Sequence, residues 1–315
     1  MNDTVLVLSI VSAIVAGTPI LFATLGEILT ERSGVMNLGV EGMMLIGGVT
    51  GFWAGVQTGN LWLALLAGGL AGAVLSGIHA LLAISLRVNQ IVSGLALVIV
   101  GGGLSAFWGN SGDAPLIQSF NGVRVEPLLP EALRDLPAVG PIVFGHDPVV
   151  YLSWLIVAAA GYFLYRTTPG LSLRAVGEDP AAADAAGLSV TGIRYLFTLV
   201  GGFGAGVGGA YLALVVLGTW QTGLTAGAGW IAVALVILAG WRPWLALLAS
   251  YVFGALRTLG FTLQIAGVEV PSDFLNMIPF VVTFLVVIVV SANPERARRV
   301  GAPASLGEPY SREAR

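Results

Sequence analysis

The sequence predicts an all-α integral membrane protein with about nine transmembrane helices, the N-terminus outside and the C-terminus in the cytoplasm. Three observations carry this. Of the 315 residues 56% are apolar and 10% charged, with a mean hydropathy of +0.89, which an ordinary soluble domain could not expose to water. Stretches with little or no charge recur at the roughly 20 residues needed to cross a bilayer core about 30 Å thick. The 14 basic residues, all Arg, fall largely on one side of a nine-span threading.

The first span covers 4–26. Asp3 precedes it and no basic residue does, so it lacks the positive start of a cleaved signal peptide and is expected to be retained. Residues 42–86 hold no Asp, Glu, Lys or Arg and make two spans, divided at Gln57-Thr-Gly-Asn60. Residues 88–112, 148–165, 195–241, 243–267 and 274–294 supply the rest, the longest split at Gly218-Thr-Trp-Gln-Thr-Gly223. In this threading Arg32, Arg87, Arg166, Arg174, Arg194, Arg242, Arg296, Arg298, Arg299, Arg312 and Arg315 share one side; Arg124 and Arg134 lie opposite, and Arg257 falls within a span. The richer side is the cytoplasm. Residues 1–294 then form one transmembrane domain, with an outer loop at about 110–147 and a cytoplasmic loop at about 167–193. The tail, 295–315, reads as a stop-transfer anchor in which Arg296, Arg298 and Arg299 meet anionic lipid.

Several chemistries are excluded. Cysteine is absent, and His79 and His146 lie on different elements, so disulfide, thiolate and metal sites are not expected. Without Lys there is no G-x-x-x-x-G-K-[ST] loop, so the chain does not hydrolyse ATP. The 44 glycines gather within spans, as in Gly201-Gly-Phe-Gly-Ala-Gly206, which predicts close helix packing. Gly204-Ala-Gly-Val-Gly-Gly209 has a dinucleotide spacing but follows no strand, and is read as packing too.

One compact polar passage interrupts the apolar chain: Arg174-Ala-Val-Gly-Glu-Asp-Pro-Ala-Ala-Ala-Asp-Ala-Ala-Gly187. Asp179 can cap a helix that starts at Pro180 and stops at Gly187, about two turns long. So short a helix is marginal in water and needs something to rest on. Its small side chains would suit a groove on another protein.

Glycine-interrupted spans in corresponding halves point to a transporter's path. Residues 34–42 and 223–229 are the candidates, and their opposed entry fits an inverted repeat. Glu41 is the single carboxylate placed near a span interior, with Asn37 one helical turn before it. Either Glu41 lines the path or it makes a packing hydrogen bond or pairs with a residue such as Arg257. Asn89, Gln90 and Ser93 open the fourth span and either line the inner mouth or cap the helix. Thr225 lies in the second broken passage. Trp220, Gln221 and Trp230 offer stacking to a base or sugar, or form an interfacial belt.

Four passages, 31–47, 89–94, 173–187 and 225–232, together resemble the permease subunits of bacterial ABC importers of the branched-chain amino acid, ribose and nucleoside type, and in particular the nucleoside or simple-sugar branch. The resemblance implies that residues 174–187 are a coupling helix for a cytoplasmic ATPase, with Arg174, Gly177, Glu178, Asp179, Pro180, Ala183 and Gly187 at the contact. It implies a second permease subunit, related or identical, a substrate-binding protein outside, and a place in the bacterial inner membrane. ATP and magnesium belong to the partner; this chain needs no cofactor and meets lipid, not nucleic acid. The family usually carries Lys and bulkier residues in its cytoplasmic loops, where this chain is alanine-rich. The competing class is an ion-driven carrier, which would show several intramembrane carboxylates.

Overall fold

A computed structural model describes residues 3–111, 115–119, 123–265, 271–291 and 301–312. Arg296, Arg298 and Arg299, read above as a lipid anchor, lie outside these residues, as does Arg315. Regular structure among the described residues is entirely helical: α1 (Asp3–Arg32), α2 (Val40–Thr58), α3 (Leu61–Ala80), α4 (Gln90–Asn110), α5 (Glu131–Arg134), α6 (Pro148–Arg166), α7 (Thr168–Glu178), α8 (Pro180–Ala185), α9 (Val190–Tyr211), α10 (Ala228–Leu238), α11 (Pro243–Ile265) and α12 (Ser272–Ser291). Wide π turns at Leu81–Ser85 and Leu212–Val216 prolong α3 and α9. Among the described residues five helical stretches, Leu6–Arg32, Leu61–Ser85, Gln90–Asn110, Pro148–Arg166 and Val190–Val216, are long and apolar enough to cross a bilayer. Ala228–Leu238 and Pro243–Leu259 are shorter apolar helices.

Local chemistry sets the ends of these helices. Gly59 closes α2 at φ +61°, and Asn60 Oδ1 then accepts the N–H groups of Trp62 and Leu63 at 2.9 and 3.1 Å to open α3. This is the turn expected at 57–60. Asp147 opens α6 in the same way, with Oδ1 accepting from the Val149 and Val150 N–H groups and Pro148 at the first helical position. Helix α1 runs six residues past the span predicted for it. Glu27 and Glu31 stay helical and buried because other parts of the chain satisfy their carboxylates.

The core is built from α1, α2, α3, α9 and α11: α9 packs against α1, α2 and α3, and α11 against α1. Small residues make it possible. At Gly206 a Cβ would strike the Gly68 carbonyl oxygen, and at Gly47 it would strike the backbone of Gly206, so α2, α3 and α9 approach backbone to backbone. Two residues of the outer loop, Leu116 and Val123, are buried in the cluster that holds α2. His146 is buried beside Trp154 and hydrogen-bonds the Ile142 carbonyl at 2.9 Å; burial pushes its imidazole below the ordinary value.

Candidate functional site: a buried polar seam and a short capped helix

Two broken spans meet inside the bundle. Helix α1 ends at Arg32, and Gly34, at φ +88°, turns the chain into a non-helical climb over 33–39. This segment runs beside the start of α4: the Met36 N–H donates to Gln90 Oε1 at 2.7 Å, and His79 joins the Met36 carbonyl (3.0 Å) to Ser93 Oγ (3.1 Å). Asn37 lies in this segment and not one helical turn before Glu41, as the sequence suggested. Its N–H and Nδ2 both donate to the Glu27 carboxylate, at 3.1 and 3.3 Å, and its Oδ1 accepts from the Gly39 N–H at 2.9 Å.

Helix α2 then begins at Val40, with Glu41 in its first turn. The Glu41 carboxylate reaches the second break. Oε1 accepts from Thr225 Oγ1 at 2.5 Å and from the Gly227 N–H at 2.9 Å; Oε2 accepts from the Gly229 N–H at 2.6 Å. One carboxylate thus lies at the N-terminal ends of two helices, α2 and α10, where unpaired N–H groups and the aligned peptide dipoles favour a negative charge. That explains how a carboxylate is tolerated among apolar helices without a bonded cation. Arg257 is close enough to feel its charge, but the hydrogen bonds go to α10. A Cβ on Gly229 would strike the Glu41 backbone, so the contact requires glycine there.

Glu41 is not the single interior carboxylate the sequence reading placed there. Glu27 and Glu31 are 1% and 3% exposed, and Glu31 Oε2 accepts from Trp241 Nε1 at 2.6 Å. All three acids are engaged by donors of the same chain. Among the described residues no group of three or more His, Cys, Asp or Glu could hold a metal ion. Ending the first span at 26 leaves Glu27 and Glu31 out of it, although their i, i+4 spacing on a continuing apolar helix was an available signal; nothing near Trp241 in the sequence announces a partner at 31.

The remaining path candidates divide. Gln90 and Ser93 are buried beside the 33–39 segment, and Thr225 is buried on Glu41. Asn89 is exposed and caps α4, its Oδ1 accepting from the Ile91 and Val92 N–H groups. Gln221 and Trp230 are exposed, whereas Trp220 is fully buried against Gly109 and offers no ring face for stacking.

The polar passage at 174–187 lies across two helices. Asp179 breaks α7 from α8, and its Oδ1 accepts from the Ala182 N–H at 2.9 Å, with Pro180 at the first position of α8. At the other end the Gly187 N–H bonds the Asp184 carbonyl and the Leu188 N–H bonds the Ala183 carbonyl, at 2.9 and 3.0 Å, with Gly187 at φ +86°. This pair of bonds closes the helix with a left-handed residue, as expected. The support a short helix needs comes from the same chain: Ala183, 4% exposed, packs with Val176 and Val190. Ala183 therefore lies on the inner side, and the outward face presents Ala182, Ala185 and Ala186. Arg174 stacks over Tyr165 at 5.6 Å, Glu178 and Asp179 are exposed, and Gly177 is buried against the Arg32 carbonyl.

A family described as branched-chain amino acid transport system, permease component, matches residues 9–290. The chain belongs to this family. It is 39% identical over 316 residues, 95% of each chain, to TsgC13 of Haloferax volcanii, which carries the name of a glucose ABC transporter permease. It is 34% identical over 290 residues, 88% of this chain and 90% of the relative, to the nucleoside ABC transporter permease protein NupC of Lactococcus lactis. The guanosine ABC transporter permease protein NupQ of Bacillus subtilis is 32% identical over 326 residues, 98% of each. No solved structure matches. The protein is thus an ABC permease component, a multi-pass protein of the cytoplasmic membrane. Such a component works with an ATPase and a substrate-binding protein and is not itself an enzyme.

Proposed function

We propose that this permease is the membrane-spanning subunit of an ATP-driven importer of nucleosides or related sugars, coupled through α8 to a separate ATPase that binds ATP and magnesium. It forms the pore with a second permease subunit, itself or a related chain, and receives substrate from a binding protein outside. Among the described residues nine apolar helices, α1 to α4, α6 and α9 to α12, thread with the N-terminus outside, the short α10 completing its crossing together with the non-helical stretch before it. In support, Arg32, Arg174, Arg194 and Arg312 lie around the α7–α8 end of the molecule, as a cytoplasmic face requires. The observation that carries the reading is the family match together with a doubly capped, outward-facing helix on that face. Alternating access then follows when ATP closes the ATPase pair, moves α8, and shifts the helices around the seam where α2 and α10 meet.

The names of NupC and NupQ support nucleoside as cargo, and that of TsgC13 supports a sugar. Proteoliposomes holding the permease, its ATPase and its binding protein decide between them. Uptake of labelled guanosine that unlabelled glucose does not compete away is the expected result. Uptake of glucose alone would assign the sugar reading, and ATP-independent uptake driven by an ion gradient would overturn the ABC mechanism.

A further inference from the structure

The C-terminal residues 301–312 are not a loose tail. They lie across the cytoplasmic face and touch both parts of the site. On one side the Ser305 N–H and Oγ donate to the Gly177 carbonyl at 3.0 and 2.7 Å, the Ala304 N–H donates to Glu178 Oε2 at 3.3 Å, and Arg312 Nε pairs with Asp184 Oδ2 at 2.8 Å. Tyr310 packs on the cluster that seats Ala183. These contacts hold α7 and α8. On the other side the Gly307 N–H donates to the Gly34 carbonyl at 3.1 Å, at the start of the climb that leads to Glu41. Residues 306–309 form one wall of a cavity of about 440 Å³ whose other wall is Met36, Asn89 and Gln90, the inner-mouth residues.

Arg194 pins the two sides together. It is 2% exposed, and its guanidinium spends all three nitrogens on uncharged oxygens of two segments: Nε on the Ser33 carbonyl (3.1 Å), Nη1 on the Glu308 carbonyl (3.1 Å) and Nη2 on Ser305 Oγ (3.2 Å). A buried arginine is costly unless its donors are met, and its planar fork suits this three-way arrangement where an ammonium would not. We infer that residues 301–312, pinned by Arg194, are a brace that carries the movement of α8 to the 33–39 segment and so to the inner mouth. Arg194 is a positioning residue in this scheme. The inference rests on the ABC reading above, with α8 as the ATPase contact. Neither partner of the brace needs to let go: Ser305 is 5% exposed and the contacts named are distributed over six residues of 301–312, which suits a permanent link.

The chain has no cysteine, so spin labels can be placed on Met36→Cys and Val88→Cys alone, across the inner mouth. The permease is assembled with its ATPase, and the label distance is measured without nucleotide and after trapping with ATP and vanadate. In the full-length chain the distance is expected to change. In a chain stopped after residue 300 the ATPase is expected to be recovered as before, because the outward face of α8 is intact, while the distance change falls by at least half. Arg194→Lys keeps the charge but puts its three donors on one nitrogen, out of place for acceptors spaced to the guanidinium fork, and is expected to reduce the change while ATPase recovery stays unaltered; it decides the matter if the shortened chain does not accumulate. An undiminished change in either variant, or no change in the full-length chain, overturns the brace. Failure of the full-length chain to recover any ATPase instead overturns the coupling reading beneath it.

Discussion

The α7–α8 passage and the buried seam are both polar interruptions in an apolar chain, yet they are specified in opposite ways. The helix α8 is written locally: Asp179 caps its start, Pro180 fixes the first turn and Gly187 ends it, all within nine residues. The seam is written across the chain. Glu41 finds its acceptors' partners at 225–229, Glu31 at Trp241 and Glu27 at Asn37. The difference teaches where damage should spread. A fault in the first should weaken a surface contact, whereas a fault in the second should loosen the bundle.

The largest expected effect tests that contrast at Glu41. Glu41→Leu leaves Thr225 Oγ1 and two N–H groups of the α10 end without their carboxylate in a largely buried site. Hydrogen bonds to a charged group contribute about 1.5–3 kcal/mol each, so folded protein should be largely lost. Glu41→Gln sets an NH₂ against an N–H donor and should be milder, visible as a lower midpoint of thermal inactivation in detergent and as altered uptake kinetics. Equal behaviour of both variants and wild type would show that the seam does not hold the bundle.

Gly206→Val should come next, since a side chain there meets the Gly68 carbonyl and the Gly69 Cα. Overpacking of this kind costs about 1–3 kcal/mol, read in the same thermal assay. Asp179→Ala should cost only about 1 kcal/mol, the usual loss for an N-cap. Faster amide exchange confined to α8, with the melting midpoint of the bundle unmoved, is the outcome that would sharpen the comparison; a bundle-wide loss would break it.

The smallest effect is one of pH. His146 is held neutral by burial, so its folded-state value lies below the unfolded value of about 6.5. The unfolded chain then binds more protons between the two values. Stability from this site is full above about pH 6.5 and declines as pH falls through the folded value. His146→Gln should remove that part of the slope, and an unchanged slope between pH 7 and 5 would show that the loop does not seat the ring as described.

Much of this was legible without coordinates, and the division follows the same contrast. The turn at 57–60, the caps at Asp179 and Gly187 and the glycine packing of α9 depend on neighbouring residues or on composition, and could be read. The pairing of 34–42 with 223–229 was approached through their broken patterns, but the carboxylate that joins them could not be assigned a partner 184 residues away. Arg194 was counted only as a cytoplasmic charge, because nothing near it in the sequence announces acceptors at 33, 305 and 308. Ala183 was read as a contact for the partner because helix periodicity alone does not say which side of a six-residue helix faces its own chain.

That last point sets the most direct test of the central claim, that α8 is where the ATPase grips this permease. The tagged chain is expressed with its cognate ABC ATPase, and recovery of the ATPase in mild detergent is compared among wild type, Ala185→Arg on the outward face and Ala183→Arg on the inner face. Wild type should bring down the ATPase, Ala185→Arg should accumulate in the membrane at wild-type level but lose it, and Ala183→Arg should fail earlier by unseating the helix. Full recovery of the ATPase with Ala185→Arg, or none with wild type, would contradict it.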